Sequence, residues 1–184
     1  MGRLIFITGG VRSGKSSYAE GIAAGLRKGN EELVYLACGV NTDQEMERRI
    51  LKHQEDRASA TENWITIECP RSIGDALDSI PHHAIVLLDC LTTLLTNEMF
   101  AAEKMDDRGI EKKIFQSIIA VLDKAQVLIV VSNEVFFDLP INSGDILRFQ
   151  KTLGLLHKRM VEESITAIDM SVGIPVVKKG MAPG

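Results

Sequence analysis

Residues 9–16 read Gly9-Gly10-Val11-Arg12-Ser13-Gly14-Lys15-Ser16, directly after the apolar run Leu4-Ile5-Phe6-Ile7. The spacing is G-x-x-x-x-G-K-[ST], a phosphate-binding loop. Each part has a physical task. Gly9 and Gly14 let the backbone turn tightly and bring bare N–H groups up to phosphate oxygens. Lys15 is expected to set its ammonium on the β- and γ-phosphates, and the Ser16 hydroxyl to bind Mg²⁺. A helix beginning there aims the positive end of its dipole at the same anion.

Three further groups could do chemistry. Asp89 ends the apolar run Ile85-Val86-Leu87-Leu88. A carboxylate in that place holds Mg²⁺ in phosphate-loop enzymes, or else simply caps the helix that follows. Ser132-Asn133-Glu134 end a second apolar run, and serve either ligand contact or strand-end hydrogen bonding. His53 lies between Arg49 and Arg57 at helical spacing i, i+4, i+8. Flanking cations favour the neutral, nucleophilic imidazole and attract a triphosphate. The competing reading of that stripe is a solvated charged face. His82, His83 and His157 carry weaker signals.

The elements that position these groups follow from periodicity. Short apolar runs predict strands at 3–8, 32–37, 64–67, 84–88, 127–131, 165–170 and 175–178. Helical spacing predicts helices at 15–28, 42–56, 72–79, 91–102, 107–124 and 145–163. The helix at 42–56 opens on Thr42-Asp43-Gln44-Glu45, which has capping-box spacing. Strands that are apolar throughout and alternate with helices indicate an α/β fold: a mostly parallel sheet with helices on both faces. Residues 1–179 are expected to form one nucleotide-binding domain, and residues 180–184 a loose tail.

Composition is that of an ordinary soluble protein. The chain has 184 residues, 45% hydrophobic and 25% charged, with a formal net charge of −4. No dense Lys/Arg run suggests a nucleic-acid partner, and no apolar stretch approaches the length of a membrane span. Met1-Gly2-Arg3-Leu4 runs straight into the first strand, so a cytoplasmic location is expected. Cys38, Cys69 and Cys90 have neither zinc nor disulfide spacing and are expected to be buried thiols.

Together these residues resemble the bifunctional adenosylcobinamide kinase / adenosylcobinamide-phosphate guanylyltransferase family of cobalamin biosynthesis. Thr8-Gly9-Gly10-x-Arg12-Ser13-Gly14-Lys15-Ser16 is similar to the family's loop. Met46-x-x-Arg49-Ile50-x-x-His53-x-x-x-Arg57 is similar to its guanylylation helix. Asp89-Cys90-Leu91-Thr92 with Leu95-Thr96-Asn97, Ser132-Asn133-Glu134-Val135 and Gly173-x-Pro175 match its remaining blocks in order.

The resemblance implies a P-loop NTPase-type fold of the RecA-like kind and two reactions. A γ-phosphate of ATP or GTP passes to the aminopropanol hydroxyl of adenosylcobinamide. GTP then guanylylates His53, and the GMP moves to adenosylcobinamide phosphate. It also implies GTP contacts at Ala37, Cys38 and Gly39, at Gln54, Glu55, Asp56 and Arg57, at Glu68, and at Asp89. Glu68 could accept from a guanine edge, or be a solvated strand end. A homotrimer is implied as well.

The chain departs from the family after Val135. Phe136-Phe137-Asp138-Leu139-Pro140 replaces a glycine- and proline-containing stretch. Arg148-Phe149-Gln150-Lys151 stands for Arg-Phe-x-Asp, and Gly154-Leu155-Leu156-His157 for Gly-x-x-Asn. Two other readings remain: a P-loop small-molecule kinase without guanylyl transfer, and a nucleotide-binding module without turnover. The chain has no separate guanine-reading Asn-Lys-x-Asp motif, which counts against a GTPase switch.

Overall fold

The structure is a computed structural model that describes residues 2–39, 63–101, 105–135 and 144–183. Its elements are β1 (Arg3–Gly9), α1 (Lys15–Leu26), β2 (Leu33–Ala37), β3 (Trp64–Glu68), a 3-10 helix (Ile73–Ser79) and β4 (Ile85–Asp89). There follow α2 (Leu91–Ala101), α3 (Asp107–Lys124), β5 (Val127–Asn133), α4 (Gly144–Glu163), β6 (Thr166–Asp169) and β7 (Val176–Lys179). The helix expected at 42–56, with His53, lies outside the described residues.

The seven described strands form one sheet in the order β3-β2-β4-β5-β1-β6-β7. Every pairing among them is parallel except β6 with β7. Side chains alternate across a strand, so each buried strand feeds two cores. Leu4 and Phe6 of β1 join Val86, Leu88, Leu128 and Val130 on the face covered by the 3-10 helix, α2, α3 and α4. Ile5 and Ile7 join Ile85, Leu87, Val127 and Ile129 on the other face, beneath Ala19, Ile22, Ala23 and Leu26 of α1. This two-sided burial explains why the central strands read as unbroken apolar runs.

Element boundaries shift where a local contact decides them. α1 stops at Leu26, two residues before the expected end: Arg27 is extended and its N–H bonds Ala24 O. The next donors, Lys28 N and Gly29 N, bond the Glu31 carboxylate at 3.2 and 2.7 Å. β5 runs on to Asn133 because β1 continues beside it, pairing Gly9 with Asn133. The stretch 72–79 winds as 3-10 rather than α-helix, behind a left-handed Ser72 at φ 49°. The expected loose tail begins tethered, since Thr166 Oγ1 donates to Met181 O at 2.9 Å.

Candidate active site

The phosphate-binding loop leaves the C-terminal end of β1 and enters α1. Gly14 caps the helix in the left-handed region, at φ 82° and ψ 11°, a conformation glycine reaches at no steric cost. Gly9 is needed for space. A Cβ there would lie 2.6 Å from the Met170 carbonyl carbon, and one on Gly10 would lie 3.2 Å from Ser171 O. The loop is thus pressed against the turn that follows β6.

Lys15 opens α1 and is only 6% exposed. Its ammonium donates to Gly10 O at 2.6 Å, which lays the charge along the loop. Thr8 Oγ1 and Ser13 Oγ are buried with no hydrogen-bond partner among the described residues. Such groups cost stability unless something satisfies them, which suits a loop built to receive a ligand's oxygens.

Asp89 ends β4, with Ala37 and Val131 opposite it on the neighbouring strands. Its Oδ2 accepts from Tyr35 OH at 2.7 Å, which fixes the carboxylate plane. A fixed carboxylate and the Ser16 hydroxyl are hard oxygen donors of the kind Mg²⁺ takes, with phosphates and water completing its shell. Ala37 also pairs with Glu68, so Glu68, Ala37 and Asp89 form one row along the sheet's C-terminal edge. Cys38 N–H continues the row by donating to Asp89 O at 2.9 Å. The structure therefore brings together the loop residues Gly9, Gly10, Val11, Arg12, Ser13, Gly14, Lys15 and Ser16 with Ala37, Cys38, Gly39, Glu68 and Asp89 at one edge. His53, Gln54, Glu55, Asp56 and Arg57 lie outside the described residues.

Other residues shape this edge. Asn97 Nδ2 donates to Cys38 O and to Pro70 O, both at 2.9 Å, and so ties the turn after β2 to the turn after β3. Thr92 Oγ1 accepts from Asn133 N at 2.7 Å and lies 2.9 Å from Ser132 Oγ. Ser132 is fully buried, and its hydroxyl lies 2.7 Å from His157 Nε2. Burial pushes His157 down to about 4, so the ring is neutral at physiological pH. Glu134 N–H donates to Gly9 O at 2.9 Å, and its Oε2 accepts from Ser171 Oγ at 2.8 Å.

Strand-end position flagged Ser132, Asn133 and Glu134. Tyr35, Ser171 and His157 join through contacts that sequence spacing does not carry. The three cysteines are free and buried, as expected. Burial raises the thiols of Cys38, Cys69 and Cys90, so they are not nucleophiles at neutral pH.

Similarity to known proteins shows the family. The family described as cobinamide kinase / cobinamide phosphate guanyltransferase matches residues 5–178. The chain belongs to that family. It is 29% identical over 187 residues to the bifunctional adenosylcobalamin biosynthesis protein CobU of Salmonella typhimurium, covering 94% of this chain and 99% of that one. It is 30% identical over 176 residues to the corresponding CobP of Pseudomonas aeruginosa, covering 95% and 96%.

Among solved structures it is similar to the flagellar accessory protein FlaH of Methanocaldococcus jannaschii, at TM-score 0.51 and 14% identity over 99% of this chain and 80% of that one. It is similar to a KaiC-like protein of Pyrococcus horikoshii at TM-score 0.51 and 11% identity, covering 98% and 80%. These likenesses show the fold, the RecA-like form of the P-loop sheet. As a cobinamide kinase and cobinamide phosphate guanylyltransferase, the protein is a transferase that uses nucleotides. Among the described residues no helix is long and apolar enough to cross a membrane.

Proposed function

We propose that one nucleotide edge serves both reactions: phosphorylation of adenosylcobinamide by ATP or GTP, and transfer of GMP from GTP to adenosylcobinamide phosphate through a guanylyl-histidine at His53. The observation that carries the reading is the loop on β1, with Lys15 laid along it and the Tyr35-oriented Asp89 two strands away, in a chain that matches the family over almost its whole length.

In the first reaction the loop N–H groups and Lys15 hold the β- and γ-phosphates, and their positive charge favours the charge that builds on the transferring group. Ser16 and Asp89 would hold Mg²⁺, which would supply positive charge against the phosphates. The acceptor oxygen forms a bond to the γ-phosphorus as the bond to the leaving diphosphate breaks.

In the second reaction a His53 ring nitrogen attacks the α-phosphorus of GTP and pyrophosphate leaves with the bonding pair. A phosphate oxygen of the corrinoid then displaces the imidazole, making the diphosphate link and freeing His53. Two displacements with good leaving groups replace one difficult step. Glu68, in register beside Ala37, is suited to accept from the guanine N1–H and N2–H₂. The homotrimer implied by the resemblance belongs to the same proposal, as does a cytoplasmic location.

The test is incubation with Mg²⁺ and GTP labelled at the α-phosphate, then denaturation and intact-mass analysis. An acid-labile, alkali-stable GMP adduct at position 53 is expected, absent in His53→Asn, with some kinase activity kept by that variant. Bound GTP without an adduct would leave a P-loop kinase lacking the second reaction.

A further inference from the structure

Phosphoryl transfer to an alcohol releases a proton, and the groups assigned to the phosphates and the metal do not take it. Lys15 is a cation, and Asp89 and Ser16 are committed to the metal side. We propose that Glu134 is the carboxylate that accepts the proton of the acceptor hydroxyl during phosphoryl transfer, a role that rests on the kinase reading above.

Position comes first. β5 lies between β4 and β1, and Asn133 is in register with Gly9, the first residue of the phosphate-binding loop. Glu134 is the next residue, and its N–H is anchored on Gly9 O at 2.9 Å. Its backbone is therefore pinned to the root of the loop, and any motion of the loop carries it along. Asp89, by contrast, lies one strand further out and turns Oδ2 towards Tyr35.

Another carboxylate beside β1 is Asp169, opposite Thr8 on β6. It is already engaged on both oxygens. Ser171 N–H donates to its Oδ1 at 2.8 Å, Ser171 Oγ lies 2.5 Å from the same oxygen, and Lys178 Nζ stands 3.6 Å from Oδ2. These contacts, the Ser171 hydroxyl foremost, hold its carboxyl below the usual carboxylate range.

Ser171 Oγ also lies 2.8 Å from Glu134 Oε2. A hydroxyl has one proton and can donate to one of the two carboxylates at a time. When it serves Asp169, a Glu134 oxygen keeps its lone pairs; when it serves Glu134, it orients the side chain. Glu134 is thus a half-exposed base held in one direction by an adjustable donor. The turn carrying Ser171 is itself pressed on the loop, through Met170 against Gly9 and Ser171 against Gly10. Base, orienting hydroxyl and phosphate loop are thus joined by direct contacts.

The step balances. The acceptor oxygen gains the γ-phosphorus and gives its proton to a Glu134 oxygen, and the electron pair of the broken P–O bond leaves with the nucleoside diphosphate. Guanylyl transfer uses an already ionised phosphate oxygen and needs no such base. The two activities therefore respond differently to the same substitution.

The experiment measures both on the full-length protein: phosphorylation of adenosylcobinamide, and guanylyl transfer to adenosylcobinamide phosphate supplied directly. Glu134→Gln is expected to lower the kinase kcat by about 100-fold or more. Its KM for the triphosphate and its guanylyl transfer should stay within about threefold of the wild type, on the same reasoning. Ser171→Ala should cost the kinase only several-fold. Kinase activity kept within about tenfold, or equal loss of both activities, would each overturn the assignment. A wild-type protein that fails to phosphorylate adenosylcobinamide would instead overturn the kinase reading.

Discussion

His157 shows how one buried ring makes the fold answer to pH. Its ordinary value is near 6.5 and burial lowers it to about 4 in the folded chain. Between those values the unfolded chain binds the proton and the folded chain does not. Its contribution is therefore fully present above about pH 6.5, declines as pH falls towards 4 and then levels off. The span corresponds to a loss of at most about 3 kcal/mol. His157→Gln keeps a partner for Ser132 and removes the titration, so the wild-type minus variant difference in urea unfolding energy should shrink between pH 7 and pH 4. A constant difference would show that the ring is not the titrating group.

At this scale sequence spacing alone puts Lys15 and Ser16 at the start of α1 and Asp89 at the end of β4. It is silent where partners meet through folding: Tyr35 with Asp89, Ser132 with His157, Glu134 with Ser171. No periodicity links such distant positions. The reading of His157 as a weak signal followed from its place on an amphipathic helix, which hides that its ring edge meets a buried hydroxyl.

The loop as an element is built around two glycines with different duties. Gly9 is small because backbone lies against it, and Gly14 because its dihedral is left-handed. Gly9→Ala sets a methyl 2.6 Å from the Met170 carbonyl carbon, where no flexible side chain can yield. It should cost about 1–3 kcal/mol of stability and weaken nucleotide binding together. Gly14→Ala has open space around its Cβ, so it should cost only about 1–2 kcal/mol, through the backbone. Urea unfolding of both variants, with and without Mg·GTP, separates the two; a smaller cost for Gly9→Ala than for Gly14→Ala would contradict the division. The elements themselves were legible from apolar runs. Their ends were less so, because a cap such as the Glu31 carboxylate or a register partner such as Gly9 for Asn133 belongs to the folded state alone.

At the scale of the whole molecule, the ligand should act as part of the fold. A nucleotide that binds only the folded chain adds about 2.7 kcal/mol at one hundred times its Kd, or roughly 5–10 °C in Tm for a chain of this size. Lys15→Ala should abolish most of that shift and lower both activities, with little change in the melting point of the free protein. A shift of full size in the variant would remove Lys15 from the phosphate site. The strand order carries one more consequence. β1 precedes the other described strands in the chain, yet its two neighbours are β5 and β6, more than a hundred residues later. The turn that walls the loop is later still. During synthesis on the ribosome the apolar Leu4-Ile5-Phe6-Ile7 therefore waits unpaired until β5 and β6 have emerged, and the nascent chain gains its grip on nucleotide only after that. Sequence-distant pairing of this kind slows folding and lengthens the interval in which this apolar strand stands exposed.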